Sequence, residues 1–169
     1  MGVDPGLVAT GFGVLATGVR GLAVVDAGVI NTSVGQALEA RLNAIYRALY
    51  QIIESQAPAL LIVEDLYTEY KFPRTAVLMG HARGIVYLAA RQLDVPVLAL
   101  TPAEVKRAVT GNGAAGKAQM QRAVQTLLGL QALPHPSHVA DALGLAMTGM
   151  ARVTGRLPCA RSVAARGPR

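Results

Sequence analysis

Residues 2–15 read Gly2-Val3-Asp4-Pro5-Gly6-Leu7-Val8-Ala9-Thr10-Gly11-Phe12-Gly13-Val14-Leu15, and they set a carboxylate between an apolar strand and a glycine-rich turn. Val3 and the run Phe12 to Leu15 have strand character. Pro5-Gly6 is turn chemistry, Pro fixing φ and Gly permitting a positive one. Asp4 therefore sits at a strand end, where a carboxylate commonly caps a turn by accepting backbone N–H bonds. Two more acidic residues also interrupt apolar runs, Glu64 after Leu61-Ile62-Val63 and Asp141 within Val139-Ala140-Asp141-Ala142-Leu143. The chain has only ten acidic residues, and burying three of them costs several kcal/mol each unless a positive charge compensates. A divalent cation held jointly by Asp4, Glu64 and Asp141 would supply that charge.

Working outward, residues 1–30 read as a three-stranded meander, with strands near Val3, at 11–17 and at 21–30, the last two separated by a turn from Gly18 to Gly21. Leu38, Leu42, Ile45, Leu49, Ile52 and Ile53 recur at helical spacing, predicting a helix over 33–56 with Ser33 as its cap and Ala57-Pro58 as its end. Leu60 to Glu64 is a short continuous apolar run, as in a strand buried on both faces. A polar and aromatic connection from Asp65 to Pro73 leads to a helix over 74–93, then a strand over 96–100. Pro102 stands where a helix reaching Val109 would open. The loop Thr110-Gly111-Asn112-Gly113 precedes helices over 115–130 and 137–153.

A meander followed by strands alternating with helices implies a mixed α/β sheet with helices on both faces. Residues 1–153 read as one domain. Residues 154–169 read as a basic, flexible tail carrying Arg156, Arg161, Arg166 and Arg169.

With 169 residues, 52% of them apolar and 15% charged, the chain excludes the disordered class and can bury a sizeable core. A net charge of +6 favours a polyanionic partner. Cys159 is the only cysteine, which excludes an intrachain disulfide and a cysteine-based zinc cluster and fits a reducing compartment. The N-terminus lacks the pattern of a signal peptide, and no apolar run is long enough to span a bilayer. A cytoplasmic protein without a membrane segment is the expectation.

His138 and Asp141 are three residues apart on the last helix, so they share a face near its N-terminus, a spacing that suits a metal. Each has a plainer account, Asp141 as a carboxylate favoured by the helix dipole and His138 as an exposed first-turn residue. Lys106 and Lys117 flank the Gly111-Asn112-Gly113 loop, and by themselves they read as exposed lysines on helix surfaces.

Several pieces, taken in order, resemble the RuvC family of Holliday-junction endonucleases within the ribonuclease-H-like superfamily. They are Val3-Asp4-Pro5-Gly6, Thr10-Gly11-Phe12-Gly13, Val63-Glu64, Gly80-His81-Ala82-Arg83-Gly84, Val105-Lys106, Gly111-Asn112-Gly113 with Lys117, and Pro136-Ser137-His138-Val139-Ala140-Asp141-Ala142-Leu143. The resemblance runs from Val3 to about Arg152. It implies a ribonuclease-H-like five-stranded sheet, a three-stranded antiparallel meander plus two parallel strands. It further implies a four-member active site of Asp4, Glu64, His138 and Asp141, the family carrying Asp or His at the position of His138.

Hydrolysis of a phosphodiester needs a deprotonated water and a stabilised leaving 3′ oxygen, and two metal ions about 4 Å apart can serve both ends of an in-line displacement. Carboxylate oxygens suit Mg²⁺, and an imidazole favours Mn²⁺ as well. Asp4 is then a bridging ligand, Glu64 and Asp141 flank it, and His138 is a ligand, a positioner of the water or a base. The resemblance also implies that Lys106 and Lys117 hold phosphates and that Tyr67 stacks on a base at the crossover, with Lys71 and Arg74 as backbone contacts. The small residues Gly80, Ala82, Gly84 and Ala89 on the 74–93 helix permit close approach either of its own sheet or of a second copy in a twofold homodimer. RuvA and RuvB branch-migration proteins are implied as partners. Rival readings are a nuclease of the same fold acting on RNA–DNA hybrids or other branched DNA, and an inert junction-binding module. An actin-like nucleotide-binding protein, suggested by Asp4-Pro5-Gly6, would need two such lobes.

Overall fold

The short apolar runs become the centre of a five-stranded sheet. The computed structural model describes residues 1–18, 21–65 and 73–155, excepting the side chains of residues 73 and 74. Strands β1 (Gly2–Asp4), β2 (Ala9–Gly18), β3 (Gly21–Asn31), β4 (Leu61–Glu64) and β5 (Val97–Leu100) lie in the order β3-β2-β1-β4-β5. β1, β2 and β3 pair antiparallel, and β4 and β5 join parallel to β1, as expected for the ribonuclease-H-like arrangement. Residues 19–20, where the sequence predicts a turn, the segment 66–72 and residues 156–169 lie outside the described residues.

Side-chain alternation distributes the strands between two cores. Val3, Leu61 and Val63 pack with Ile45, Leu49, Ile53, Ala82, Val86 and Ala89 of helices α1 (Leu38–Gln56) and α2 (Pro73–Gln92) on one face. On the other face Ile62, Leu100 and Leu15 pack with helices α3 (Pro102–Thr110), α4 (Lys117–Leu128) and α5 (Ser137–Thr154), through Val105, Met120, Val124, Leu143 and Met147. Leu61 to Val63 is thus buried from both sides, which is why it shows no polar alternation.

Two helix starts repay a closer look. Pro102 opens α3 as expected, and Thr101 with Glu104 forms a full capping box, the Thr101 hydroxyl accepting from the Glu104 N–H and the Glu104 carboxylate accepting from the Thr101 N–H at 2.9 Å. α1 starts later than its periodicity predicts, at Leu38 rather than Ser33. Residues 33–36 form a turn instead, with the Gln36 N–H donating to the Ser33 carbonyl and the Ser33 N–H to the Gln36 side chain. Gly35 inside that turn costs helix propensity.

α5 is the element that positions the site. It lies directly on the backbones of β1 and β2: a Cβ on Gly2 would overlap the Ala142 carbonyl oxygen, and one on Gly11 that of His138. Only residues without a side chain permit this approach. It brings the first turns of α5 over the carboxyl end of β1.

Candidate active site

Asp4 ends β1 and Glu64 ends β4. In the parallel pairing Val3 is opposite Val63, so the two carboxylates follow each other at the carboxyl ends of neighbouring strands, the usual place for a site in such sheets. From above, α5 adds His138 and Asp141. The ring nitrogen Nδ1 of His138 is 2.7 Å from Oδ2 of Asp4, a contact between residues 134 apart in sequence. Donor atoms of Asp4, His138 and Asp141 all lie within 4.8 Å of one another, a set that could hold a metal ion. Glu64 stands to one side, its carboxyl close enough to Asp4 to share a hydrogen bond and near enough to Asp141 to be repelled by it. The four residues predicted from sequence therefore come together.

The electrostatics show what this convergence costs. Burial, then the charge and hydrogen bond of Asp4, push the Glu64 carboxyl up to about 8. Burial and Asp4 likewise push Asp141 up to about 6, opposed by His138, Lys117 and Lys106. The hydrogen bond to Asp4 raises the His138 imidazole above its usual range. Protons thus replace charge where acidic oxygens crowd, and a cation would replace the protons. Two hard carboxylates and an imidazole around Asp4 fit a divalent ion of the Mg²⁺ or Mn²⁺ kind.

Lys106 on α3 lines a small cleft with Glu64 and Asp141, and Lys117 opens α4 within electrostatic reach of Asp141 and His138. Both lysines therefore lie within electrostatic reach of the acidic cluster. The loop between them is shaped by Gly111, in the left-handed region at φ 77°, and by Asn112, whose side chain accepts from the Ala114 N–H. Tyr67 and Lys71 lie outside the described residues. Arg74 falls in the first turn of α2, and its side chain is outside them too.

Sequence reasoning missed two supports of the site. Asp65, next to Glu64, pairs with Arg83 of α2 at 2.7 Å, while its N–H continues the ladder to the Leu100 carbonyl. Arg83 also donates to the Tyr87 hydroxyl at 2.8 Å and lies 5.0 Å from the centre of that ring. The other support is Thr10, fully buried, whose hydroxyl donates to the Gly6 carbonyl at 2.7 Å and closes the turn after Asp4. Arg83 and Thr10 each stand within a stretch that carries the family resemblance, but no spacing links either to a carboxylate. His81 is exposed, with its ring against the Val77 carbonyl.

The family model for crossover junction endodeoxyribonuclease RuvC matches residues 1–149. A protein of that name from Rhodopirellula baltica is 42% identical over 149 residues, covering 88% of this chain and 84% of that protein. The solved structure of Thermus thermophilus RuvC superposes with a TM-score of 0.80 at 32% identity, covering 94% of this chain and 96% of the other. A second structure, of T. thermophilus RuvC in complex with Holliday junction substrate, gives 0.81 at 30% identity with the same coverage. With the match spanning most of the chain and the acidic residues gathered as described, this chain belongs to the RuvC family of crossover junction endodeoxyribonucleases.

Proposed function

We propose that this protein resolves four-way DNA junctions by metal-dependent hydrolysis of phosphodiester bonds in recombination and repair, with Asp4, Glu64, His138 and Asp141 as its catalytic residues. The observation that carries this reading is the meeting of those four side chains at one end of the sheet, in a chain whose relative was solved with a Holliday junction. Asp4 is the centre, touched by both His138 and Glu64. Asp4, Glu64 and Asp141 would hold the metal, with Asp4 as the shared ligand, and Nδ1–H of His138 donates to Asp4, which would leave Nε2 to bind or to orient and deprotonate the attacking water. Mg²⁺ or Mn²⁺ ions, two per site, supply charge for both the entering and leaving oxygens when bound. Lys106 and Lys117 hold the phosphates on either side of the Gly111-Asn112-Gly113 loop.

We assign residues 1–153 to one catalytic domain acting in the bacterial cytoplasm, with RuvA and RuvB as partners, and Tyr67, Lys71 and Arg74 to further DNA contacts. A symmetric homodimer is supported by the outer face of α2. Ala82 and Ala89 are buried against the sheet, but a Cβ on Gly84 would meet nothing, and Val77, Leu88 and Tyr87 beside it are 59%, 48% and 37% exposed. These residues form an apolar stripe that a second copy would cover. A monomer at micromolar concentration in sedimentation contradicts the dimer.

Incubation with a labelled mobile four-way junction, in Mg²⁺, Mn²⁺ or chelator, tests the function. Paired symmetric cuts are expected with either ion and none with chelator, and equal cutting of duplex or RNA–DNA hybrid controls contradicts junction selectivity. Binding is salt-sensitive, and Lys106→Ala and Lys117→Ala each lower the slope of log affinity against log salt by about 1. An unchanged slope removes that lysine from the phosphate contacts.

A further inference from the structure

Arg41, in the first turn of α1, is only 9% exposed, yet no carboxylate pairs with it among the described residues. Among the described residues a single side-chain donor is engaged: Nε donates to the Thr32 hydroxyl at 2.9 Å, and that hydroxyl in turn donates to the Leu7 carbonyl. The position is telling. Asp4 pairs with Gly11 and Ala9 with Asn31, so Leu7 and Thr32 lie beyond the same sheet end that carries the catalytic carboxylates. Lys106 and Lys117 belong to the α3 and α4 side of the sheet, whereas Arg41 comes from the α1 side.

A guanidinium largely withdrawn from water without a counter-charge is costly, and an anion arriving at its still accessible terminal nitrogens recovers part of that cost. We propose that Arg41 is a phosphate-binding residue, taking a backbone phosphate of the DNA strand on the side of the active site opposite the two lysines. The Thr32 hydroxyl fixes the planar group by Nε and leaves the terminal nitrogens to form a two-pronged contact with phosphate oxygens. β3 is two strands from β1, roughly 10 Å at the usual strand spacing, a reach that covers the phosphates immediately beside the scissile one on the same strand. The bound phosphate is thus a neighbour of the scissile one.

The assignment rests on the junction-cleavage reading, so binding is measured by anisotropy with the non-cleaving Asp4→Asn protein and a labelled four-way junction over a series of salt concentrations. Adding Arg41→Gln lowers affinity roughly tenfold and reduces the salt slope by about 1, while Arg41→Lys keeps the slope but loses part of the affinity. Affinity and slope equal to the parent's, with a lower Tm, would make Arg41 a structural clamp on the turn after Asp4 and overturn the proposal. Failure of the parent itself to bind any junction would instead sink the functional reading. Should Arg41→Gln not fold, uncharged methylphosphonates placed about one to four nucleotides from the scissile bond serve with the unaltered Arg41 protein. They weaken binding if Arg41 holds a phosphate there, and unchanged binding at each position refutes it.

Discussion

Asp4→Asn lowers junction cleavage by about 10³-fold or more, roughly 4 kcal/mol of barrier, while junction affinity stays near that of the parent. The reason is that Asn keeps the shape of Asp and its carbonyl oxygen still accepts from Nδ1–H of His138, so α5 remains docked on β1. What disappears is the charge at the point where three of the four site residues meet. Asp4 is 7% exposed and in contact with His138 and Glu64, so no other oxygen can take its place. Affinity is spared because phosphate is attracted by the lysines, and one fewer negative charge beside the DNA removes a repulsion. Single-turnover cleavage and anisotropy on the same preparation separate the two quantities. A parallel loss of binding and cleavage would make Asp4 structural rather than catalytic.

Glu64→Gln has the second large effect, and it runs in opposite directions for stability and activity. The Glu64 carboxyl is raised from an ordinary 4.5 to about 8, so between these values the folded protein holds a proton that the unfolded chain releases. Rising pH therefore favours unfolding through this window, and the penalty is complete above about 8. Gln cannot ionise and escapes it. In chelator at pH 8.5 the variant gains roughly 4–8 °C in Tm, about 2 kcal/mol for a chain of this size. At pH 5 most of the gain is gone, because the parent's Glu64 is then protonated in the folded state. Cleavage falls by about 10²-fold or more, since the proposed metal site loses one of its oxygens. A Tm that drops equally at both pH values would show that the Glu64 carboxylate supports the fold instead of straining it.

Much of this architecture can be read from the chain because its signals are local. A two-sided buried strand announces itself as Leu61-Ile62-Val63, and the three-residue spacing of His138 and Asp141 places both on one helical face. Pro102 marks the start of α3 for a reason internal to Pro. The start of α1 misleads because Ser33 reads as a helix cap, whereas both its N–H and its carbonyl are bonded to Gln36 in a turn that precedes the helix.

The parts that escape reading are contacts between distant segments. No periodicity connects Asp4 to His138, Asp65 to Arg83 or Arg41 to Thr32 and Leu7, and these bonds exist only once the sheet has set its register. Gly2 and Gly11 look like ordinary strand glycines until α5 is seen lying on them. The interruption of three apolar runs by Asp4, Glu64 and Asp141 pointed to one shared cation, and family resemblance added His138 to that site. Even so, it did not foresee that Glu64 would stand apart from the tight group of Asp4, His138 and Asp141.

Anomalous diffraction from crystals soaked in Mn²⁺ bears most directly on whether these side chains gather cations. The expected result is a peak within about 2.0–2.3 Å of an Asp4 oxygen, shared with Asp141 or Glu64 and lost in Asp4→Asn. Saturating Mn²⁺ with no peak near Asp4, or with peaks only at scattered surface carboxylates, would contradict a metal-dependent nuclease built on this site.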